Sequence, residues 1–168
     1  MSNSDPNETV QPPASQHRNV QKVVAALEAA GHHTDITILP DRVHTAALAA
    51  AAQGVDVGAI ANSLVFTLDG EPVLIMTSGS HRVDTEMVGR ELGGRLKRAS
   101  ADVVRQATGQ PIGGVAPLGH PAPVRTFVDR KLEQYPEIWA AAGHPNTVFP
   151  TDYQQLLRLT GGQAIEVC

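Results

Sequence analysis

Residues 111–120, Pro-Ile-Gly-Gly-Val-Ala-Pro-Leu-Gly-His, contain three glycines and two prolines. Such a run can be neither a helix interior nor a central strand, since proline lacks the N–H that both require and glycine weakens both. Glycine also permits left-handed backbone angles and close approach by another molecule, while proline stiffens the turn. The stretch is therefore expected to be a rigid loop with little side-chain cover over its amides, with Ile112, Val115 and Leu118 expected to anchor it. It is suited to holding a ligand, although the cluster alone reads first as an ordinary tight turn.

The segments around this loop alternate between helical and extended patterns. Asn19–Ala30 reads as a helix with Val20, Val23, Val24 and Leu27 on one face and Gly31 as its stop. Thr45–Gln53 is rich in alanine and stopped by Gly54, and a short helical piece follows near Val57–Ala61. Ser63–Leu68 and Pro72–Thr77, joined by Asp69-Gly70-Glu71, form a β-hairpin. Asp84 and Ser100 are placed to cap helices ending at Gly93 and Gly109, and Asp152 a third ending at Gly161. Short strands are expected at Ile36–Leu39, Leu96–Ala99, Val124–Val128, Thr147–Phe149 and Ala164–Val167, and partial helix over Lys131–Ala142. The hairpin excludes a purely parallel doubly wound sheet, leaving a mixed α/β (α+β) domain over residues 18–168. Residues 1–17 are polar, carry little to bury, and are expected to form a disordered tail.

Composition narrows the function classes. One cysteine, Cys168, excludes an intramolecular disulfide framework and any Cys-x-x-Cys site, which fits a reducing cytoplasm. No apolar run suggests a signal peptide or a membrane span. The adjacent His32 and His33 lack a companion ligand set, so no metal is expected, and no cofactor motif is present. A formal charge of −4 argues against a general nucleic-acid binder but allows contact with one RNA end. The single locally basic region, His81–Arg105, reads as solvated charge on a helix and its flanks.

Read together, the motifs resemble the YbaK/EbsC family, relatives of the editing domain inserted in bacterial prolyl-tRNA synthetases. Gly113-Gly114-Val115-Ala116-Pro117 resembles the family's Gly-x-x-x-Pro loop, and Leu118-Gly119 agrees with it. His44-Thr45-Ala46-Ala47 resembles its early helix, Asn62-Ser63-Leu64-Val65-Phe66 its first core strand, Phe127-Val128-Asp129 the strand after the loop, and Ala142-Gly143-His144 the last active-site turn. The resemblance implies a curved, barrel-like mixed sheet surrounded by helices. It also implies a free-standing deacylase that hydrolyses the ester between a wrong amino acid and the terminal adenosine of tRNA. The partner would be the acceptor end of a mischarged tRNA, and the resemblance admits a homodimer or an aminoacyl-tRNA synthetase as further partners. The departure is Asn62, where the family carries lysine. Asparagine offers neutral donors and an acceptor in place of a fixed charge.

The residues expected to act are Asn62 and His144 in catalysis, with Thr45, Ser63, Gly113, Gly114, Pro117, Gly119, His120, Asp129 and Gly143 binding substrate. No serine or threonine sits in a nucleophile elbow. His120 and His144 can orient a water or the ribose, and the resemblance implies that the substrate's own ribose hydroxyl assists. Asp129 reads more readily as a loop-holding acceptor than as a catalytic group. A valine at Gly114 is expected to block ligand approach while leaving the fold largely intact. The competing function is a binding module that kept the pocket and lost hydrolysis with the lysine.

Overall fold

The computed structural model describes residues 17–40, 43 and 45–168. The expected tail lies outside this range except for its last residue, and His44 also lies outside it. His17 belongs to the domain, because its Nδ1 accepts from the Asn19 amide at 3.2 Å and caps α1 (Arg18–Ala29). The apolar spacing in α1 buries Val20, Val23 and Leu27.

One mixed sheet organises the described residues. Its strands are β1 (Thr37–Ile38), β2 (Ile60–Leu68), β3 (Glu71–Ser78), β4 (Leu96–Arg98), β5 (Arg125–Asp129), β6 (Ile138–Ala141), β7 (Thr147–Thr151) and β8 (Gln163–Ile165). The spatial order is β1-β7-β6-β2-β3-β5-β8, with β4 attached to β2. The helices α2 (Ala46–Gln53), α3 (Thr85–Leu92), α4 (Ala101–Thr108) and α5 (Tyr153–Thr160) complete a single mixed α/β domain. Thr45, Asp84, Ser100 and Asp152 each cap one of these helices by accepting an amide three residues on, and Gly54, Gly93, Gly109 and Gly161 end them in left-handed conformation. The β2–β3 hairpin turns on Asp69 (φ 48°) and Gly70 (φ 87°), two consecutive positive φ angles that suit the strand twist.

β3 lies at the centre and is buried from both sides. Leu74 and Met76 join one core with Phe149 and Leu132, whereas Val73 and Ile75 join another with Phe66 and Phe127. The expected partial helix over 131–142 is only a short 3-10 turn, Arg130–Gln134; its second half is strand β6. Ile138 and Ala140 are buried while Trp139 and Ala141 are half-buried, and pairing to β2 and β7 overrides the helix preference of the alanines.

Asp129 ties the ends of β3 and β5 together. Its Oδ2 accepts from the Ser78 amide (3.0 Å), Thr77 Oγ1 (3.3 Å) and His81 Nδ1 (2.9 Å), and its Oδ1 accepts from the Lys131 amide (2.9 Å). The carboxylate is fully buried, so its expected substrate-binding role gives way to a structural one. Asp129→Ala would strand two backbone donors. It should destabilise the fold by about 2–4 kcal/mol, lowering Tm by about 5–15 °C in a thermal melt.

Candidate functional site

The main cleft lies where β2 runs out of neighbours. On one edge β2 pairs with β3 along most of its length. On the other it pairs with β6 only at Ile60 and Ala61, and with β4 only from Phe66 to Leu68. Ala99 N–H closes the far end of the interval by donating to the Val65 carbonyl at 3.1 Å. Between these pairings the sheet stays open, and a cleft of about 340 Å³ fills the opening. Asn62 and Ser63 line it from β2, Arg98 and Ala99 from β4 and its exit, and Trp139 and Ala141 from β6.

The remaining walls are mostly apolar. Leu39, Val43, Ala46 and Ala49 come from the β1–α2 side, and Val104, Ile112 and Val115 from α4 and the glycine loop. Arg98 is the one charged side chain among the described lining residues. The Asn62 side chain makes no hydrogen bond among the described residues, so its amide group is available at the wall. Ser63 also lines the cleft, with Oγ donating to Met76 Sδ at 3.1 Å. Thr45 stands at the rim and uses Oγ1 to cap α2.

The two glycines at the loop tip have different surroundings. Gly113 (φ +86°) faces the cleft, and a Cβ added there would meet nothing within 4 Å. Gly114 is buried against its own chain, where a Cβ would come within 2.8 Å of the His144 carbonyl carbon and the Pro145 nitrogen. Its lack of a side chain therefore lets the 111–120 loop meet the 143–146 turn. Gly119 (φ +83°) similarly admits Val23 of α1, and Gly143 (φ +102°) admits the backbone of Asn19. Pro117 is buried beneath the loop. These four expected substrate contacts are packing positions in the structure.

His120 is turned back on its own loop. Its Nε2–H donates to the Ala116 carbonyl at 2.8 Å, and Gln110 reinforces the same bend by accepting from the Ala116 amide at 2.6 Å. Burial lowers the His120 pKa from 6.5 despite that carbonyl contact, so the ring is held neutral.

His144 adjoins the cleft through Pro145, which lines it. Asn146 sets the state of its ring. Asn146 Nδ2 donates to the Leu39 carbonyl at 3.0 Å, which turns Oδ1 toward His144 Nδ1 at 2.5 Å. Because Oδ1 can only accept, Nδ1 is the donor, and the tautomer of the neutral ring that this bond selects has its acceptor at Nε2. The His17 ring leans against the other side of His144, with centroids 5.0 Å apart. Asn146 is a site residue that the sequence reading missed. Its one signal was an amide two residues after a histidine in a Gly-His-Pro-Asn turn. Among the described residues no three metal-ligating side chains gather, and no helix is long and apolar enough to cross a membrane.

A curled mixed sheet, opened at one edge and closed by a glycine-proline loop, defines a single α/β domain of the YbaK type. The model of the aminoacyl-tRNA editing domain matches residues 41–159. The chain belongs to that family. It is 28% identical to the uncharacterized protein YwhH of Bacillus subtilis (strain 168), over 80% of this chain and 87% of that one. It is 35% identical to a proline–tRNA ligase of Geobacter sp. (strain M21) over half of this chain, but spans only 15% of that ligase. A solved structure described as a candidate trans-editing enzyme for prolyl tRNA synthetase superposes with a TM-score of 0.86 at 39% identity, covering 90% of this chain and 97% of that one.

Gly114→Val should destabilise the protein by about 1–3 kcal/mol through overpacking against the 143–146 turn. Chemical denaturation should register this as a lower midpoint. His120 gives a pH effect of defined sign. A lowered folded-state pKa means that the unfolded chain binds more protons just below pH 6.5, so the stability gained from neutral His120 is lost as pH falls through that range. The drop in Tm between pH 7 and pH 5 should be smaller in His120→Gln than in the parent.

Proposed function

We propose that this chain is a free-standing aminoacyl-tRNA deacylase that hydrolyses the ester joining a mischarged amino acid to the terminal adenosine of tRNA, in trans and in the cytoplasm. The observation that carries this reading is the open interval on β2. It leaves a largely apolar cleft with an amide (Asn62), a bare backbone turn (Gly113) and a nearby imidazole whose Nδ1 is engaged by Asn146 (His144) around its edge. An aminoacyl ester is already activated, so hydrolysis needs a positioned water, donors for the oxyanion and a pocket that selects the side chain. Asn62 and the Gly113 amide supply donors. His144 Nε2 accepts a proton from water or orients the ribose hydroxyl, and the apolar walls take an uncharged amino-acid side chain. The likeness to a candidate trans-editing enzyme supports the same chemistry.

The second reading, a binding module without hydrolysis, is favoured by the neutral Asn62 in the cleft wall, where the resemblance implies lysine. A panel of mischarged tRNAs separates the two: ester hydrolysis above the spontaneous rate is expected, and none on any member would leave binding alone. Asn62→Ala should lower kcat/KM about tenfold or more through loss of one donor. Asn62→Lys should also lower it, because no carboxylate among the described lining residues can pair an added ammonium group and Arg98 already supplies positive charge. A rise in kcat/KM with steeper salt dependence would instead mark a weakened editor that lacks its charge.

A further inference from the structure

The basic segment that reads from sequence as ordinary solvated charge has an uneven placement. Residues 90–98, Arg-Glu-Leu-Gly-Gly-Arg-Leu-Lys-Arg, carry four positive side chains and one negative in a chain of formal charge −4. Arg90, Arg95, Lys97 and Arg98 are all exposed. None makes an ion pair within 4 Å among the described residues, where the pairs are His81–Asp129 and Arg105–Asp102. Besides Glu91 in the segment, two carboxylates are close by: Asp69 is engaged by the Arg95 backbone amide at 2.9 Å, and Glu86, on the first turn of α3, lines the same depression as Arg90, Arg95 and Lys97.

β4 joins this charge to the cleft. Arg98 lines the cleft mouth with its guanidinium 5.7 Å from the centre of the Phe66 ring. Lys97, Arg95 and Arg90 line a shallow depression of about 630 Å³, with Gly89 and Gly94 among its other lining residues. Since β4 pairs only with β2, its outer edge is open. From Arg95 to Arg98 the chain advances about 10 Å, with Arg95 and Lys97 on the depression and Arg98 on the cleft, so positive charge spans the two.

The geometry points to an RNA-phosphate-binding face along β4 and the end of α3, carrying the acceptor stem of the tRNA whose aminoacylated end occupies the cleft. This rests on the reading of the cleft as a tRNA-end site. Lysine on an edge strand also deters edge-to-edge pairing, but that purpose needs no arginine on α3 or at the cleft mouth. An acidic protein would be a competing partner. Protein interfaces depend on apolar or aromatic anchors at their centre, and the large exposed apolar side chains among the described residues, Ile38, Leu48 and Ile112, all lie off this face. Phosphate contacts need only charge and donors, and they position an RNA without reading its sequence.

The test is a fluorescence titration of uncharged tRNA into the parent, Arg95→Ala/Lys97→Ala and a control, Arg158→Ala on the distant α5. Hydrolysis of a mischarged tRNA and of the corresponding aminoacyl-adenosine is measured beside it. In the double variant, tRNA affinity should fall about tenfold or more at 50 mM salt, and the slope of log affinity against log salt should become shallower by about two. Its hydrolysis of aminoacyl-adenosine should be unchanged while kcat/KM on the full tRNA drops, and Arg158→Ala should match the parent. Unchanged affinity and slope in the double variant, or an equal loss per charge in the control, would overturn the face. A parent that hydrolyses neither substrate would overturn the deacylase reading instead, and the binding titration would still decide the face.

Discussion

A strand of nine residues with two different partners on one edge is the constraint from which the site follows. β6 takes the beginning of that edge and β4 the end, and the residues between them, 62–65, pair with neither strand. A continuous ladder would have closed the sheet and left no cavity. The interrupted ladder leaves strand backbone and the side chains of Asn62 and Ser63 beside open space, on a scaffold that β3 holds rigid from the other edge. The cleft is thus built on a strand that is paired along nearly its whole length on the other edge.

The loops that frame this opening are fixed by close backbone contact more than by side-chain packing. Gly114 brings the glycine loop onto the 143–146 turn, and Asn146 joins that turn to Leu39 through side-chain and backbone bonds, the latter at 2.7 Å. The same asparagine fixes the tautomer of His144. One amide therefore serves both architecture and chemistry, since the bond that orients it to the Leu39 carbonyl also decides which imidazole nitrogen can take a proton.

Local chemistry made much of the fold legible in the sequence. Caps at Asp84, Ser100 and Asp152, left-handed stops at glycine and the Asp69-Gly70 turn depend on neighbours within a few residues, and such signals survive without tertiary context. β6 was not legible, because alanines at 140 and 141 favour helix locally and only pairing with β2 and β7 makes them a strand. In the site, Asn62, Ser63, Thr45 and Gly113 line the cleft. Gly114, Gly119 and Gly143 carry the same composition signal for a different reason, because sequence cannot tell whether the body approaching a glycine is a ligand or another part of the chain. Asp129 was legible as a loop-holding acceptor, but the full set of four donors that converge on it spans β3, the loop after it and the turn after β5.

The contacts of α1 have a practical consequence for anyone who handles this protein. Val23 rests against Gly119, Asn19 against Gly143, and the His17 ring against His144, so the first described helix buttresses both loops without lining the cleft. An affinity tag, a fusion joint or a truncation placed at the start of this helix is therefore an alteration of the site at one remove. A change there reaches the loops through Asn19, Val23 and His17 without altering any residue that lines the cleft.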